Sequence, residues 1–199
     1  GLIIMPFDAM SQNEINKINQ LIASETPAIV FDSEDEGILS DHIVLNNYQM
    51  IKRVTHTLLE MNHVDTAFIL GPPEISSSKE RLKAFFDAYE EHGRTPNRDL
   101  IVHTDYSKTQ SRQRFRALLD AHPQISAVLT GAYRITLGVL SAINSNNLLI
   151  PRDISVFGFD IMDIADVLPF RLTGIHIPTE EVAEALAEIM MKRINSELT

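Results

Sequence analysis

Short apolar runs recur along the chain, and several of the longer segments between them place apolar residues at helical spacing. Each run has four to six residues, is rich in isoleucine, valine and leucine, and is mostly continuous instead of alternating with polar residues. This pattern is typical of strands buried on both faces of a parallel sheet. The predicted strands are residues 2–5, 28–31, 42–45, 66–70, 100–103, 127–130, 154–159 and 172–177.

Helices are predicted where apolar residues repeat at i, i+3, i+4 and i+7, the spacing of one buried helix face. In residues 80–92 this face carries Leu82, Phe85, Phe86 and Tyr89. The other predicted helices lie at residues 47–61, around Phe115, from Ile135 to Ile143 and after Pro178. Because strands and helices alternate, the sequence predicts an α/β fold with parallel sheets.

A polar, acidic loop interrupts this alternation at residues 33–41, between two predicted strands. The loop leaves no room for a helix, although parallel strands in a doubly wound sheet are normally connected by one. We therefore expect a transition between two domains near Asn46–Asn47.

The composition narrows the functional classes. The 199 residues suffice for one large domain or two small ones, and the chain contains no cysteine, so it has neither disulfides nor a thiolate metal site. The net charge is −10 and there is no block of Lys and Arg, so we expect this segment not to bind DNA directly. No apolar run approaches the roughly 20 residues of a membrane helix, and we expect a cytoplasmic protein.

The motifs of common enzyme classes are missing from the sequence. There is no G-x-G-x-x-G, G-x-x-x-x-G-K-[ST] or G-x-S-x-G, and the seven histidines contain no i, i+4 pair. Residues 76–79, "SSSK", match S-x-x-K but lack the S-D-N and K-T-G partners of that motif. We expect no enzymatic activity, no cofactor and no metal.

The segment from Ser77 to Glu80, "SSKE", matches a helix capping box. Lys79 and Arg81 then fall in the first helical turn, where each cation opposes the helix dipole by about 0.3–1 kcal/mol. This arrangement suits recognition of hydroxyls or anions by Arg81. The alternative is a surface salt bridge from Arg81 to Glu74 or Asp87.

Further candidates stand where predicted strands end, because open α/β sheets bind ligands at the carboxyl ends of their strands. Asp160 directly follows one strand, although it could equally cap a helix over residues 161–167. With Arg81, the set combines two acids, a guanidinium and two tyrosines, which suits a sugar or nucleoside cleft. These candidates come from the strand ends at Met5–Phe7, Asp32, Asp105–Tyr106, Gly131–Tyr133 and Asp160.

Six segments, in order along the chain, resemble the effector-binding core of the LacI/GalR family of bacterial transcription regulators, and through it the periplasmic sugar-binding fold. "PAIVFD" resembles the family's strand ending in aspartate, and "IVLNN" its V-x-x-D-N crossover. "HTLLEMNHVDTAFILGP" resembles H-L-x-x-x-G-H-x-x-I-A-x-I-x-G-P, and "SSSKERLKAF" resembles S-x-x-x-R-x-x-G-F. "IPRDISVFGFD" resembles V-P-x-D-I-S-V-V-G-F-D-D, and "LPFRLTGIHIP" resembles P-x-L-T-T-I-x-x-P.

The resemblance implies roles for individual residues. Arg81 would grip effector hydroxyls, Asp160 would face it across a cleft, and Tyr106 would stack on the ligand. The remaining implied or candidate ligand residues are Asp32 and Met5 on the wall of the N-terminal subdomain, Ser77 in the S-x-x-x-R segment, and Tyr133. Leu137 and Leu168 match the family's dimer surface. We expect Arg81→Ala and Asp160→Ala to abolish effector binding and to leave the fold intact.

The implied fold has two Rossmann-like subdomains with parallel sheets. Residues 1–46 would form part of the N-terminal subdomain, residues 47–175 the C-terminal subdomain, and residues 176–199 a helix returning to the N-terminal one. Relative to the family, we expect the chain to be truncated at both ends. A helix-turn-helix headpiece and two strands would be missing before residue 1, and one strand after residue 199.

The resemblance implies a homodimeric repressor that senses a sugar, nucleoside or phosphosugar in the cleft between its subdomains. Operator DNA would be bound only through the headpiece, and no membrane would be involved. The alternatives are a sugar-binding protein of a periplasmic transport system, an α/β enzyme, although no nucleophile or cofactor loop is found, and a pocket kept only for dimerisation.

Four departures from the family pattern favour a different or more apolar effector, or a degenerate pocket. Ala132-Tyr133 stands in place of Asn-Asp, and Ile161 in place of the second aspartate of G-F-D-D. Asn46 replaces the crossover aspartate, and Asn62 replaces the glycine before His63.

Overall fold

The structure is a computed structural model that describes residues 1–6, 10–33, 37–161, 164 and 166–195. In these residues it contains eight strands and six α-helices. The strands are β1 (Leu2–Ile4), β2 (Ala28–Phe31), β3 (Asp41–Ile43), β4 (Thr66–Leu70), β5 (Ile101–His103), β6 (Ala127–Thr130), β7 (Ser155–Phe159) and β8 (Thr173–Ile175). The helices are α1 (Gln12–Ala23), α2 (Asn47–Glu60), α3 (Ser76–Glu91), α4 (Lys108–Ala121), α5 (Tyr133–Ser145) and α6 (Thr179–Ile194).

The chain divides into two compact units, each with its own parallel sheet. The first unit comprises Gly1–Asn46, Glu74–Ser77 and Ile177–Thr199, and the second comprises Asn47–Pro73 and Ser78–His176. The first sheet has the strand order β1-β2-β3 and the second has β5-β4-β6-β7-β8, with all pairs parallel. The predicted α/β class with two parallel sheets is confirmed.

The second unit buries its sheet on both faces, as the continuous apolar runs predicted. Alternate residues of a strand point to opposite faces. Ala67 and Ile69 of β4 belong to a core cluster with Phe115 of α4 and Val139 of α5. Between them, Phe68 of β4 points to the ring of Phe85 on α3, with 4.9 Å between the ring centroids.

The strand order of the second unit creates a switch point between β4 and β6. From β4 the chain passes through α3 to β5 on one side, and from β6 it passes through α5 to β7 on the other. Connections that leave two neighbouring strands in opposite directions open a crevice at their carboxyl ends, where α/β proteins bind ligands. Gly71 follows β4 at this crevice and Gly131 follows β6.

The first unit is organised around β2. Ile15 of α1 packs with Val30 of β2 and with Ile38, all buried. The last helix, α6, is tied to β3 by two hydrogen bonds from the Arg193 guanidinium to the Asp41 carboxylate, at 2.7 and 2.8 Å.

The predicted helices and strands are all present, but the structure contains one further helix, and one predicted helix start is misplaced. Helix α1 was not predicted, although Ser11 and Glu14 form a capping box at its start. The predicted capping box of α3 is wrong, because that helix begins at Ser76 and Ser77 therefore lies inside its first turn. Among the described residues, no helix is long and apolar enough to cross a membrane.

Candidate functional site

Arg81 is the best-fixed of the predicted ligand residues. Its side chain is buried, with 4% of the residue exposed. Nε and Nη2 donate hydrogen bonds to Asn47 Oδ1 at 2.9 and 2.7 Å, and Nη1 donates to the carbonyl oxygen of Gly131. The guanidinium carbon lies 4.3 Å from the centroid of the Phe159 ring, a cation–π distance. Arg81 therefore connects α3 with the start of α2 and with the ends of β6 and β7.

This burial bears on two sequence-based expectations. The alternative role of Arg81 as a solvent-exposed salt bridge is excluded, and Asp87 instead accepts hydrogen bonds from Tyr48 and Lys83. The burial of Arg81 also argues against the expectation that Arg81→Ala leaves the fold intact. Removing a buried, multiply bonded guanidinium leaves its acceptors without these donors, so this variant should lose stability as well as binding.

Tyr106 lies against the end of β4. A Cβ atom on Gly71 would overlap the Tyr106 ring and hydroxyl, so glycine is what allows the ring to approach the backbone this closely. The Tyr106 hydroxyl and Ser78 Oγ are 3.3 Å apart and share a hydrogen bond. The ring is half-buried and packs against the core cluster of the second unit.

The turn before α4 holds Tyr106 in place. Tyr106 has a φ of 61°, which is rare for a bulky residue. Asp105 on its N-terminal side accepts a hydrogen bond from the Ser107 backbone N–H at 2.9 Å, and the bonds from Ser107 lower the pKa of this carboxyl. Ser107 in turn caps α4 by accepting from the Gln110 N–H. The two neighbours of Tyr106 therefore fix the backbone on both sides of it.

Asp160 follows β7 in a left-handed turn with a φ of 53°. Its N–H donates to the carbonyl oxygen of Ile175 on β8 at 2.8 Å. Asp160 is half-buried and directly follows Phe159, whose ring lies under the Arg81 guanidinium. The helix that Asp160 was expected to cap as an alternative falls partly on residues outside the described ranges, and that alternative stays open.

In the first unit, Asp32 has the same local arrangement as Asp160. It follows Phe31 at the end of β2, has a φ of 53°, and donates its N–H to Ile43 of β3 at 2.8 Å. Of the other candidates there, Met5 is 44% exposed after β1, and Ser77 is buried in the first turn of α3. Their roles in ligand binding stay predictions.

Left-handed backbone conformations single out three of the predicted residues. The described part of the chain contains six non-glycine residues with positive φ. Glu25, Asn62 and Asn147 follow α1, α2 and α5, where such a conformation commonly ends a helix. The other three follow strands instead, and they are Asp32, Tyr106 and Asp160. Backbone strain of this kind, of order 1–3 kcal/mol per residue, concentrates at ligand sites.

Three residues of the site were not predicted as such: Asn47, Gly71 and Phe159. A glycine directly after a buried strand is a signal that could have identified Gly71, because it often marks a close approach of another group to the backbone. Asn47 is 2% exposed and lies 34 residues from Arg81 in sequence, so only the fold reveals their contact.

The departures from the family pattern have unequal consequences. Ile161 is buried, with 6% exposed, and its side chain lies against Gly158 and Gly174. It is thus a core residue of the second unit, and its effect on the effector site stays a prediction. Ala132 precedes α5 without a side-chain capping hydrogen bond, and Tyr133 is half-buried at the start of that helix. Leu137 and Leu168 are both half-buried, and their place in a dimer surface stays a prediction.

Comparison with known proteins identifies a family for most of the chain. The family model described as "Periplasmic binding protein-like domain" matches residues 55–199. Among curated proteins, the HTH-type transcriptional repressor PurR of Aliivibrio salmonicida is 26% identical over 198 residues, which cover 98% of this chain and 57% of that protein. The HTH-type transcriptional regulator CelR of Thermobifida fusca is 25% identical over 158 residues, covering 79% of this chain and 46% of that protein. The chain thus spans about half the length of these relatives.

Solved structures show the same fold. A transcriptional regulator CelR–cellobiose complex superposes with a TM-score of 0.86 at 22% identity, over 100% of this chain and 60% of that one. The transcription regulator CcpA of Lactococcus lactis superposes with a TM-score of 0.85 at 17% identity, over 99% of this chain and 70% of that one.

Proposed function

The chain belongs to the family of periplasmic binding protein-like domains, and we propose that it is the effector-sensing domain of a bacterial transcriptional repressor of the LacI type. Similarity to repressors over nearly the whole chain supports a role in regulation over the alternative role in transport. Because these relatives regulate transcription, we also propose that the domain is not an enzyme. It would act as a cytoplasmic homodimer and reach operator DNA through a separate headpiece.

The observation that carries this proposal is the group around Arg81 at the switch point of the second sheet. The Asn47 amide, the Gly131 carbonyl and the Phe159 ring fix the plane of the guanidinium. A guanidinium donates charge-assisted hydrogen bonds, which are stronger than those between neutral groups, to oxygen atoms.

Neighbouring residues at the same sheet edge supply the other contacts that a sugar or nucleoside needs. Asp160 offers a carboxylate that accepts hydrogen bonds from hydroxyls, and Tyr106 offers an aromatic ring. We therefore propose that Arg81, Tyr106 and Asp160 contact a sugar or sugar derivative at the carboxyl edge of the second sheet. Asp32, Met5, Ser77 and Tyr133 are proposed as further contacts. The subdomain limits proposed from the sequence are residues 1–46 with 176–199, and 47–175.

The proposed mechanism is a shift between conformations of the domain. An effector changes the equilibrium between two conformations only if it binds one of them more tightly. A difference of about 1–3 kcal/mol in binding free energy is typical of such coupling. In a dimer, this shift would alter the spacing of the headpieces and hence operator affinity.

The proposal is tested with a small panel of ligands: cellobiose, ribose, adenosine and glucose 6-phosphate. We expect at least one of them to raise the melting temperature of the protein, and we expect Asp160→Asn to weaken its calorimetric affinity at least tenfold. Asp120→Asn is the matched control, because Asp120 is exposed near the end of α4. Equal affinities of all three proteins for the binding ligand would contradict the proposed site.

A further inference from the structure

Two paired glycines leave a space over the second sheet. Gly158 of β7 and Gly174 of β8 are register partners in the parallel pair, so their missing side chains would point to the same face. Ile161 occupies this space. A Cβ atom on Gly158 would overlap Ile161 Cγ2, and one on Gly174 would lie 2.8 Å from Ile161 Cδ1 and Cγ1.

The helix above the sheet fixes the same stretch of chain. Thr136 of α5 accepts a hydrogen bond from the Phe159 N–H at 3.2 Å. The Thr136 methyl group would lie 3.2 Å from a Cβ on Gly158, so it borders the space that Ile161 fills. The residue before Asp160 is thus held by a hydrogen bond, and the residue after it is held by burial.

These contacts explain how Asp160 keeps a left-handed conformation. A non-glycine residue in this region persists only where its surroundings determine it. The Asp160 N–H also donates to Ile175, next to Gly174 on β8. Burial of Ile161 against Gly158 and Gly174 therefore fixes the turn that places the Asp160 carboxylate at the end of β7.

We propose that Ile161 is a positioning residue for Asp160. Its apolar side chain fills the space over the two glycines and so holds the backbone turn at Asp160. It does not contact the effector itself. This inference rests on the proposed function in one respect: that Asp160 binds a ligand.

The test measures amide hydrogen exchange of the free protein by NMR, so it can be read whether or not an effector is known. Ile161→Ala should speed exchange of the Asp160 N–H at least tenfold relative to the Leu129 N–H in the centre of β6. Leu118→Ala on α4 is the matched control, because Leu118 is also buried, at 7% exposed, and removing its side chain also makes a cavity. In this control, the ratio of the two exchange rates should stay near that of the unmodified protein.

Two further variants separate positioning from general loss of stability. Ile161→Val keeps most of the side-chain volume over the two glycines, so exchange of the Asp160 N–H should stay slow in this variant. Gly158→Ala should displace Ile161 and speed exchange at Asp160 in the same way as Ile161→Ala. An exchange ratio in Ile161→Ala equal to that in Leu118→Ala would overturn the inference, as would fast exchange at Asp160 in Ile161→Val.

Discussion

Asp32 and Asp160 occupy equivalent places in the two units of the chain. Each follows a phenylalanine at the end of a central or near-central parallel strand, and each has a φ of 53°. Each donates its N–H to an isoleucine carbonyl on the next strand at 2.8 Å. The two parallel sheets thus share the same backbone turn at an aspartate that directly follows a strand.

The two turns differ in what holds them. After Asp160, Ile161 is buried over a pair of glycines. After Asp32, Ser33 is held through its backbone, because the His42 ring lies 2.9 Å from the Ser33 carbonyl oxygen and 3.2 Å from that of Ile38. The second unit fixes its aspartate by apolar packing and the first by polar contacts, so a shared backbone geometry does not require shared side chains.

The largest expected effect is on the stability of the second unit, where the Arg81 guanidinium lies over Phe159, the residue before Asp160. Arg81→Ala should lower the free energy of unfolding by about 2–5 kcal/mol, because two buried acceptors, on Asn47 and Gly131, each lose their Arg81 donors at a cost of about 1–3 kcal/mol. Urea denaturation gives the total, and amide exchange should show the loss at β6 and β7 with β2 unchanged. Lys83→Ala, in the same helix but with an exposed side chain, is the control and should change stability by less than about 1 kcal/mol. Equal losses in both variants would contradict the structural role of Arg81.

A second effect tests the close approach at the end of β4. Gly71→Ala should displace the Tyr106 ring and lower the free energy of unfolding by about 1–3 kcal/mol, the usual range for overpacking. The added methyl group should be better tolerated in Gly71→Ala/Tyr106→Ala, so a double-mutant cycle measured by urea denaturation should show coupling between the two sites. Strict additivity would mean that the Tyr106 ring does not lie over Gly71.

The aspartate turns themselves should respond alike in both units. At a positive φ, alanine is disfavoured relative to glycine by about 1–2 kcal/mol. Asp32→Ala and Asp160→Ala should therefore each be less stable than the glycine variant at the same position, by about 1 kcal/mol in thermal or urea unfolding. A difference at one position only would show that the two turns are not equivalent.

The smallest expected effect concerns β3, the strand that receives the Asp32 hydrogen bond. Hydrogen bonding by Arg193 lowers the pKa of the Asp41 carboxyl below its ordinary value. The stabilisation is therefore fully present above the unfolded pKa of about 3.9 and is lost as the pH falls through the lower folded pKa. Asp41→Asn should lower the free energy of unfolding by at most about 1 kcal/mol at pH 7. Its difference from the unmodified protein should shrink below about pH 4, and a pH-independent difference would count against the ion pair.

The sequence predicted the strands well because each is a continuous apolar run buried on both faces. It predicted the candidate residues at strand ends because strand direction alone places Asp160 and Tyr106 at one edge of a parallel sheet. Helix α1 was overlooked because its apolar residues are few and lie among polar ones, although Ser11 and Glu14 carry its starting signal.

Tertiary contacts account for what the sequence did not reveal. The Asn47–Arg81 hydrogen bonds join residues on different helices, and the close approach of the Tyr106 ring to Gly71 depends on the packing of β4 against β5. The burial of Ile161 follows from two glycines on separate strands. The sequence contains each of these residues, but it does not show which of them are in contact in the folded chain.

The central claim is that an effector binds at the carboxyl edge of the second sheet, through Arg81, Tyr106 and Asp160. The most direct test is calorimetric titration of the unmodified protein and Asp160→Asn with whichever panel ligand raises the melting temperature. We predict saturable binding to the unmodified protein and at least tenfold weaker binding to Asp160→Asn, with both proteins equally folded. Undiminished binding to Asp160→Asn, or no binding of any panel ligand to the unmodified protein, would contradict the account.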